Sequence, residues 1–208
     1  MTIGIFSIII LIVSVMVHEL SHGYMADALG DPTARLAGRL TMNPLKHIDL
    51  YGSIIVPLIT SFLGFTFGWA KPVPYNPYNL KNKRSGEFLI ALAGPAANLL
   101  LAIVFGILIR IVMAGYAPLS DSFAGSFVMI SSYIVVINIV LAIFNLIPVP
   151  PLDGSKLLFS ILPNQYSRTR QMLEAYSPIL VLIVVFFLWQ FVMPVVPWIF
   201  RLMTGVGI

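Results

Sequence analysis

Apolar residues in this chain come in long unbroken blocks. Five stand out, at about 3–27, 50–69, 87–114, 122–148 and 176–200. Each is near or above the ~20 residues a helix needs to cross a hydrocarbon core. The polar stretches between them, at 28–49, 70–86 and 149–175, are short. None has the size of a separate soluble domain, so residues 1–208 are expected to form one domain. Gly30-Asp31-Pro32 stops the first helix. The "TARLAGRLTM" that follows alternates loosely between turn residues and predicts two short strands within 32–43. After "PVPPLDG" a short helix is expected from Ser155 to Leu162, ended by Pro163.

Composition sharpens this picture. Hydrophobic residues make up 59% of the chain and charged residues 10%, against about 25% charged in a soluble domain. The chain is therefore read as an all-α integral membrane protein. The first block lacks the basic start and small-residue cleavage site of a signal peptide, so it is expected to be retained. The net charge of +4 comes with no basic patch interleaved with aromatics, which argues against nucleic acid as a partner.

The basic residues also bear on topology. If all five blocks cross, Arg35, Arg39 and Lys46 lie across the membrane from Lys71, Lys81, Lys83, Arg84, Lys156, Arg168 and Arg170. If instead 50–69, with Pro57 and several glycines, dips in and returns, all ten fall on one side. The positive-inside rule favours the second arrangement. It predicts four spans, at 3–27, 87–114, 122–148 and 176–200, plus a re-entrant or partly inserted 50–69. Both termini are then outside.

Seventeen residues without a charge, Met1 to Val17, lead into "HELSH". His18 and His22 are four apart, so on a helix they lie roughly 40° apart on one face, one turn apart. Two imidazoles so placed can reach one Zn²⁺, with the adjacent Glu19 as general base. They could also simply hydrogen-bond inside a bundle. Depth in the membrane favours function, because a charge at the bilayer centre costs at least about 2.5–3.5 kcal/mol.

A catalytic zinc usually has three protein ligands and an open position. With no cysteine, the third must be another His, Asp or Glu. Glu87 sits where a helix starts and suits its dipole. Asp121 falls in the outer loop. Asp27 and Asp31 follow the histidines too closely to fold back easily. Glu174 lies in a polar linker. Asp153 follows 31 uncharged residues, Ser122 to Leu152, and three prolines. It either caps the next helix or binds the metal. Reaching His22 requires it on the same side of the membrane, which is where the re-entrant arrangement puts it. His47 could bind metal or substrate, or serve the linker structurally. Asn98 and Asn145, each inside an apolar run, could be interhelical glue or amide donors to a substrate or oxyanion. A membrane metal-binding or metal-transport protein is the alternative reading, although no second ligand set lines a path.

"HELSH", "GPAAN" and "NLIPVPPLDG" together resemble the site-2 protease family of intramembrane zinc metalloproteases, and most of the chain shares the likeness. "GDPTARLAGRLTMNPLKHIDLYGS" and "GWAKPVPYNP" look like linkers of a compact prokaryotic branch without a PDZ domain. The resemblance implies one zinc ion bound by His18, His22 and Asp153, with Glu19 as catalytic base. It implies that Asn145 contributes to substrate binding or transition-state stabilisation; Gly94 and Asn98 match the family's Gly-x-x-x-Asn feature, and Asn98 is expected to share that role. The resemblance implies that the strands within 32–43 are membrane-associated. It also implies a catalytic core over about 3–154, followed by a C-terminal helix at 176–200. The expected substrates are transmembrane proteins, cut within the bilayer of a cell membrane, with the site nearer the cytoplasmic face.

Overall fold

The first apolar block forms one continuous helix, α1, from Thr2 to Ala28. The structure, a computed structural model, describes residues 2–55, 58, 70–115, 123–163 and 166–207. Two further long helices follow: α3, Lys83–Gly115, and α4, Phe123–Leu146. The Asn82 side chain accepts a hydrogen bond from the Ser85 amide at 3.2 Å, so α3 starts four residues before its apolar block does. Among the described residues, three helices are long and apolar enough to cross a membrane: Phe6–Ala28, Lys83–Gly115 and Phe123–Leu146. This is a membrane protein. The outward side chains of α1, such as Ile8, Ile9, Leu11 and Ile12, have no protein partner to bury them and suit lipid.

Packing fixes the helix directions. Ser14, His18 and His22 of α1 meet Asn98, Gly94 and Ile90 of α3 in reverse order, so the two run antiparallel. Asn98 also meets Asn138 of α4, which runs alongside α1. One apolar core joins Ala102 and Ile109 of α3 to Val135 and Ile139 of α4, with Val196 and Phe200 from the C-terminal helix. A second, at the other end, gathers Ala26, Leu80 and Ile90.

The strands expected within 32–43 do not form. Thr33–Leu36 is a helical turn, α2, and Pro44–Lys46 is a 3₁₀ turn. Local bonds take the amides that a strand ladder would need. Leu36 donates to the Pro32 carbonyl at 2.9 Å, Ala37 to Thr33 at 3.0 Å and Arg39 to Ala34 at 3.0 Å. Gly38, with φ +63°, turns the chain back between them. A π-helical turn, Leu50–Ile55, opens the next block. The re-entrant path expected over 50–69 otherwise falls almost wholly on residues 56–57 and 59–69, outside the described residues. The flanking chain is placed, however: the Lys71 amide donates to the His47 carbonyl at 2.9 Å, so the two linkers share one end of the bundle.

The fourth expected span is also broken up. After α5 (Asp153–Ile161) and α6 (Ser167–Ala175) come α7 (Ser177–Ile183), a π-helical turn (Val184–Leu188), α8 (Trp189–Val192) and α9 (Val195–Thr204). Pro194 interrupts the ladder, because proline has no amide hydrogen to donate. The chain nevertheless passes from one end of α3 to the other. Arg170 pairs with Glu87, and Arg110 donates to the Met203 carbonyl at 2.7 Å and to that of Leu202. Those two α3 residues are separated by about 35 Å of helix. Arg110 thus closes the end of α9.

Asp31 ties the linkers together. Fully buried, it accepts from the Asn76 amide at 2.6 Å, the Asn79 side chain at 2.7 Å, the Thr33 amide at 3.2 Å and the Thr33 hydroxyl. Burial pushes its carboxyl up, but these donors outweigh that and hold it below its ordinary value of 3.8. A lowered carboxyl stabilises the fold fully above the unfolded value, and the stabilisation fades as pH falls through the folded one. Asp31→Ala is expected to cost about 2–3 kcal/mol near neutral pH, a drop in Tm of roughly 5–10 °C. In thermal scans from pH 7 downward, the gap between variant and parent should narrow below about pH 4.

Candidate metal centre

His18 and His22 face α3 from the C-terminal half of α1, and both are buried. Their outer ring nitrogens are each fixed by an acceptor. His18 Nδ1 lies 2.6 Å from Asn98 Oδ1 and His22 Nδ1 lies 2.6 Å from the Ile90 carbonyl. A carbonyl can only accept, so His22 donates from Nδ1. The Asn98 amide is oriented by donating from Nδ2 to the Ser14 carbonyl at 3.3 Å and to Asn138 Oδ1 at 2.7 Å, so its Oδ1 accepts from His18. Asn138 Nδ2 in turn donates to Ser14 Oγ at 2.9 Å and to the Ile134 carbonyl at 2.9 Å. Asn98 and Asn138 are fully buried, and this chain of bonds satisfies both.

With Nδ1 protonated in both rings, the two Nε2 lone pairs point inward. They lie 3.0 Å apart, and Asp153 Oδ2 lies 3.0 Å from His18 Nε2 and 2.9 Å from His22 Nε2. Three acceptors in contact repel unless a cation lies among them. Within the described residues these are the three side chains whose donors converge closely enough to hold a metal. Two nitrogens and one oxygen, with both imidazoles anchored from behind, are a donor set suited to zinc.

Two glycines make the convergence possible. A Cβ on Gly94 would stand 2.5 Å from His22 Nε2 and 2.6 Å from His18 Cε1. A Cβ on Gly154 would stand 2.3 Å from the Leu146 carbonyl oxygen, where α5 turns back against the end of α4. Leu152, not Asp153, is the N-cap of α5; Asp153 is its first helical residue, aimed at the histidines. Its other oxygen, Oδ1, accepts from Lys156 Nζ at 2.9 Å. Glu19, one residue along α1 from His18, is partly buried and accepts from the Val73 amide at 2.9 Å.

A family model described as "Peptidase family M50" matches residues 6–124 and 111–190. The chain belongs to peptidase family M50. It is 37% identical over 177 residues to "Putative zinc metalloprotease YwhC" of Bacillus subtilis, covering 85% of this chain and 78% of that one. It is 29% identical over 154 residues to "Putative zinc metalloprotease Rip2" of Mycolicibacterium smegmatis, covering 73% of this chain and 56% of that one. The Mycobacterium tuberculosis Rip2 is 26% identical over 153 residues, with 73% and 56% covered. No solved structure was found to match.

The other M50 site candidates fall elsewhere. Asn98 lies behind His18 rather than in the open. Asn145 donates back to the Leu141 carbonyl at 2.9 Å, one turn up its own helix. His47 is buried, with Nε2 2.9 Å from the Thr41 carbonyl. Asp27 pairs with Arg35, while Glu87 and Glu174 both pair with Arg170. Asp121 is outside the described residues. Sequence reasoning overlooked Asn138, Ser14, Lys156 and the Val73 amide. An Asn within an apolar run was the available signal for Asn138, as it was for Asn98. The anchoring of His18 yields a test. Asn98→Ala should weaken Zn²⁺ binding about 10–100-fold in a competition titration. Gly94→Ala, which collides with both rings, should leave less than one zinc per chain by elemental analysis.

Proposed function

We propose that this chain is an intramembrane zinc metalloprotease of the site-2 type, hydrolysing peptide bonds within or near transmembrane segments of membrane-protein substrates. The observation that carries this reading is the convergence of His18, His22 and Asp153, beside Glu19, inside an apolar helix bundle. Family membership and the zinc metalloprotease names of the relatives support it. One zinc ion held by those three ligands supplies Lewis acidity and lowers the pKa of water toward ~7.

The remaining chemistry belongs to the chain. Glu19 takes a proton from the attacking water and returns it to the leaving amine. Both imidazoles turn Nε2 toward the site, because their Nδ1 protons are committed to Asn98 and Ile90. Asp153 offsets positive charge through Oδ2, and Lys156 occupies Oδ1. Asn145, near the C-terminal end of α4, is the amide we assign to the substrate backbone. His18, His22 and Asp153 as ligands, Glu19 as base and Asn98 as the His18 anchor complete the assignment.

The proposed topology has four crossings of a cell membrane, the fourth made by the broken helices after Ser177. The N-terminus is outside and the active site is nearer the cytoplasmic face. In support, the Arg39 guanidinium reaches the Lys71 carbonyl at 2.8 Å, and Arg84 reaches the Leu162 carbonyl at 2.8 Å. Basic residues of all three polar linkers therefore gather at one end, as the positive-inside rule asks of the cytoplasmic side.

Glu19→Gln should keep one zinc per chain and slow cleavage of a transmembrane reporter by about 10²–10⁴-fold in reconstituted vesicles. A zinc transporter without protease activity would cut nothing in either form. The chain has no cysteine, so Ser21→Cys gives a clean labelling site. A membrane-impermeant maleimide should reach it from the cytoplasmic side; labelling solely from outside would overturn the topology.

A further inference from the structure

The stretch "KPVP", residues 71–74, carries an unusual backbone pattern. Pro72 and Pro74 have no amide hydrogen, so Val73 is the sole backbone donor across three residues. Prolines also keep the residues before them extended. Val73 gives its one amide hydrogen to Glu19 Oε2 at 2.9 Å.

The segment around it is pinned on both sides. The Lys71 amide is held by the His47 carbonyl at 2.9 Å. One Arg39 guanidinium nitrogen reaches the carbonyls of Lys71 at 2.8 Å and Pro72 at 3.3 Å. The Asn76 amide is held by Asp31 at 2.6 Å. The strap crosses α1 one turn beyond Glu19, where a Cβ on Gly23 would stand 2.7 Å from Val73 Cγ1. A rigid piece of main chain thus presents a single N–H to a carboxylate that has no other hydrogen-bond partner in the described residues.

We propose that the Val73 amide is a positioning group for Glu19. It fixes Oε2 and leaves Oε1 free to exchange the proton. A general base must stand within hydrogen-bond reach of its proton, and a misplacement of about 1 Å can cost roughly 10²-fold in rate. A glutamate has three side-chain rotors, and near the end of a membrane helix little else restrains them. This inference rests on Glu19 being the proton carrier.

Two variants remove the N–H. Val73→Pro suits the extended backbone already imposed by its neighbours, and the α-hydroxy-acid analogue of valine at position 73 replaces N–H with oxygen while keeping the side chain. Val73→Ala keeps the amide. Both deletions should lower kcat about 10–100-fold, with KM and zinc content near those of the parent; Val73→Ala should stay within about threefold in kcat. Hydrogen exchange supplies a readout that an ordinary structural role would not move. The Val73 amide should exchange at least about tenfold faster in Glu19→Ala than in the parent, while the Lys71 and Asn76 amides do not change. Equal kcat for the deletions and Val73→Ala, or a Val73 amide indifferent to Glu19→Ala, overturns the proposal. If Glu19→Gln itself cleaves like the parent, the protease mechanism fails instead.

Discussion

The hydrogen bond from His18 to Asn98 is the contact on which the rest of the site depends. In an apolar bundle an imidazole cannot borrow water to satisfy its far nitrogen. Asn98 satisfies it, but only if the amide is turned the right way, and that orientation is set by Ser14 and Asn138. Three helices are thereby tied to one ring. Shift any of them by a turn and a buried amide loses its partner, at about 1–3 kcal/mol each. The same bonds point Nε2 of His18 at Asp153. Helix register and ligand geometry are one constraint.

That constraint explains why small residues lie where they do. Gly94 has to be a glycine because two imidazoles fill the space its side chain would take. Gly154 has to be one because α5 starts against the carbonyls that end α4. The prolines before Asp153 stop α4, and the following turn brings the carboxylate back to the depth of the histidines. Apolar packing between Ala102, Ile109, Val135, Ile139 and Phe200 holds the opposite half of the bundle.

Much of this was legible in the sequence, and its limits have physical causes. The three long helices follow from apolar length. The pairing of His18 with His22 follows from helix period, and Asp153 stood out as a lone charge after a long uncharged run. The strands within 32–43 were misread, because Asp31 and local i−4 and i−5 bonds captured amides that alternation alone assigned to a ladder. The last apolar block was long enough to span as one helix, but Pro194 divides it. Asn98 and Asn138 look alike in sequence, and only packing shows that one holds a ligand and the other holds the first. The Val73 amide could not be seen at all, since a main-chain donor has no letter of its own; the prolines beside it were the nearest trace.

His22 and Asp153 meet across 131 residues of chain. A ribosome makes them in that order, at about 5–20 residues per second. The first helix therefore emerges with both imidazoles and Glu19 well before their carboxylate partner exists. Only when α4 has been laid down and α5 has turned back does Asp153 arrive. The cluster of His18, His22 and Asp153 is therefore completed late in biogenesis, once α5 has packed back against the end of α4.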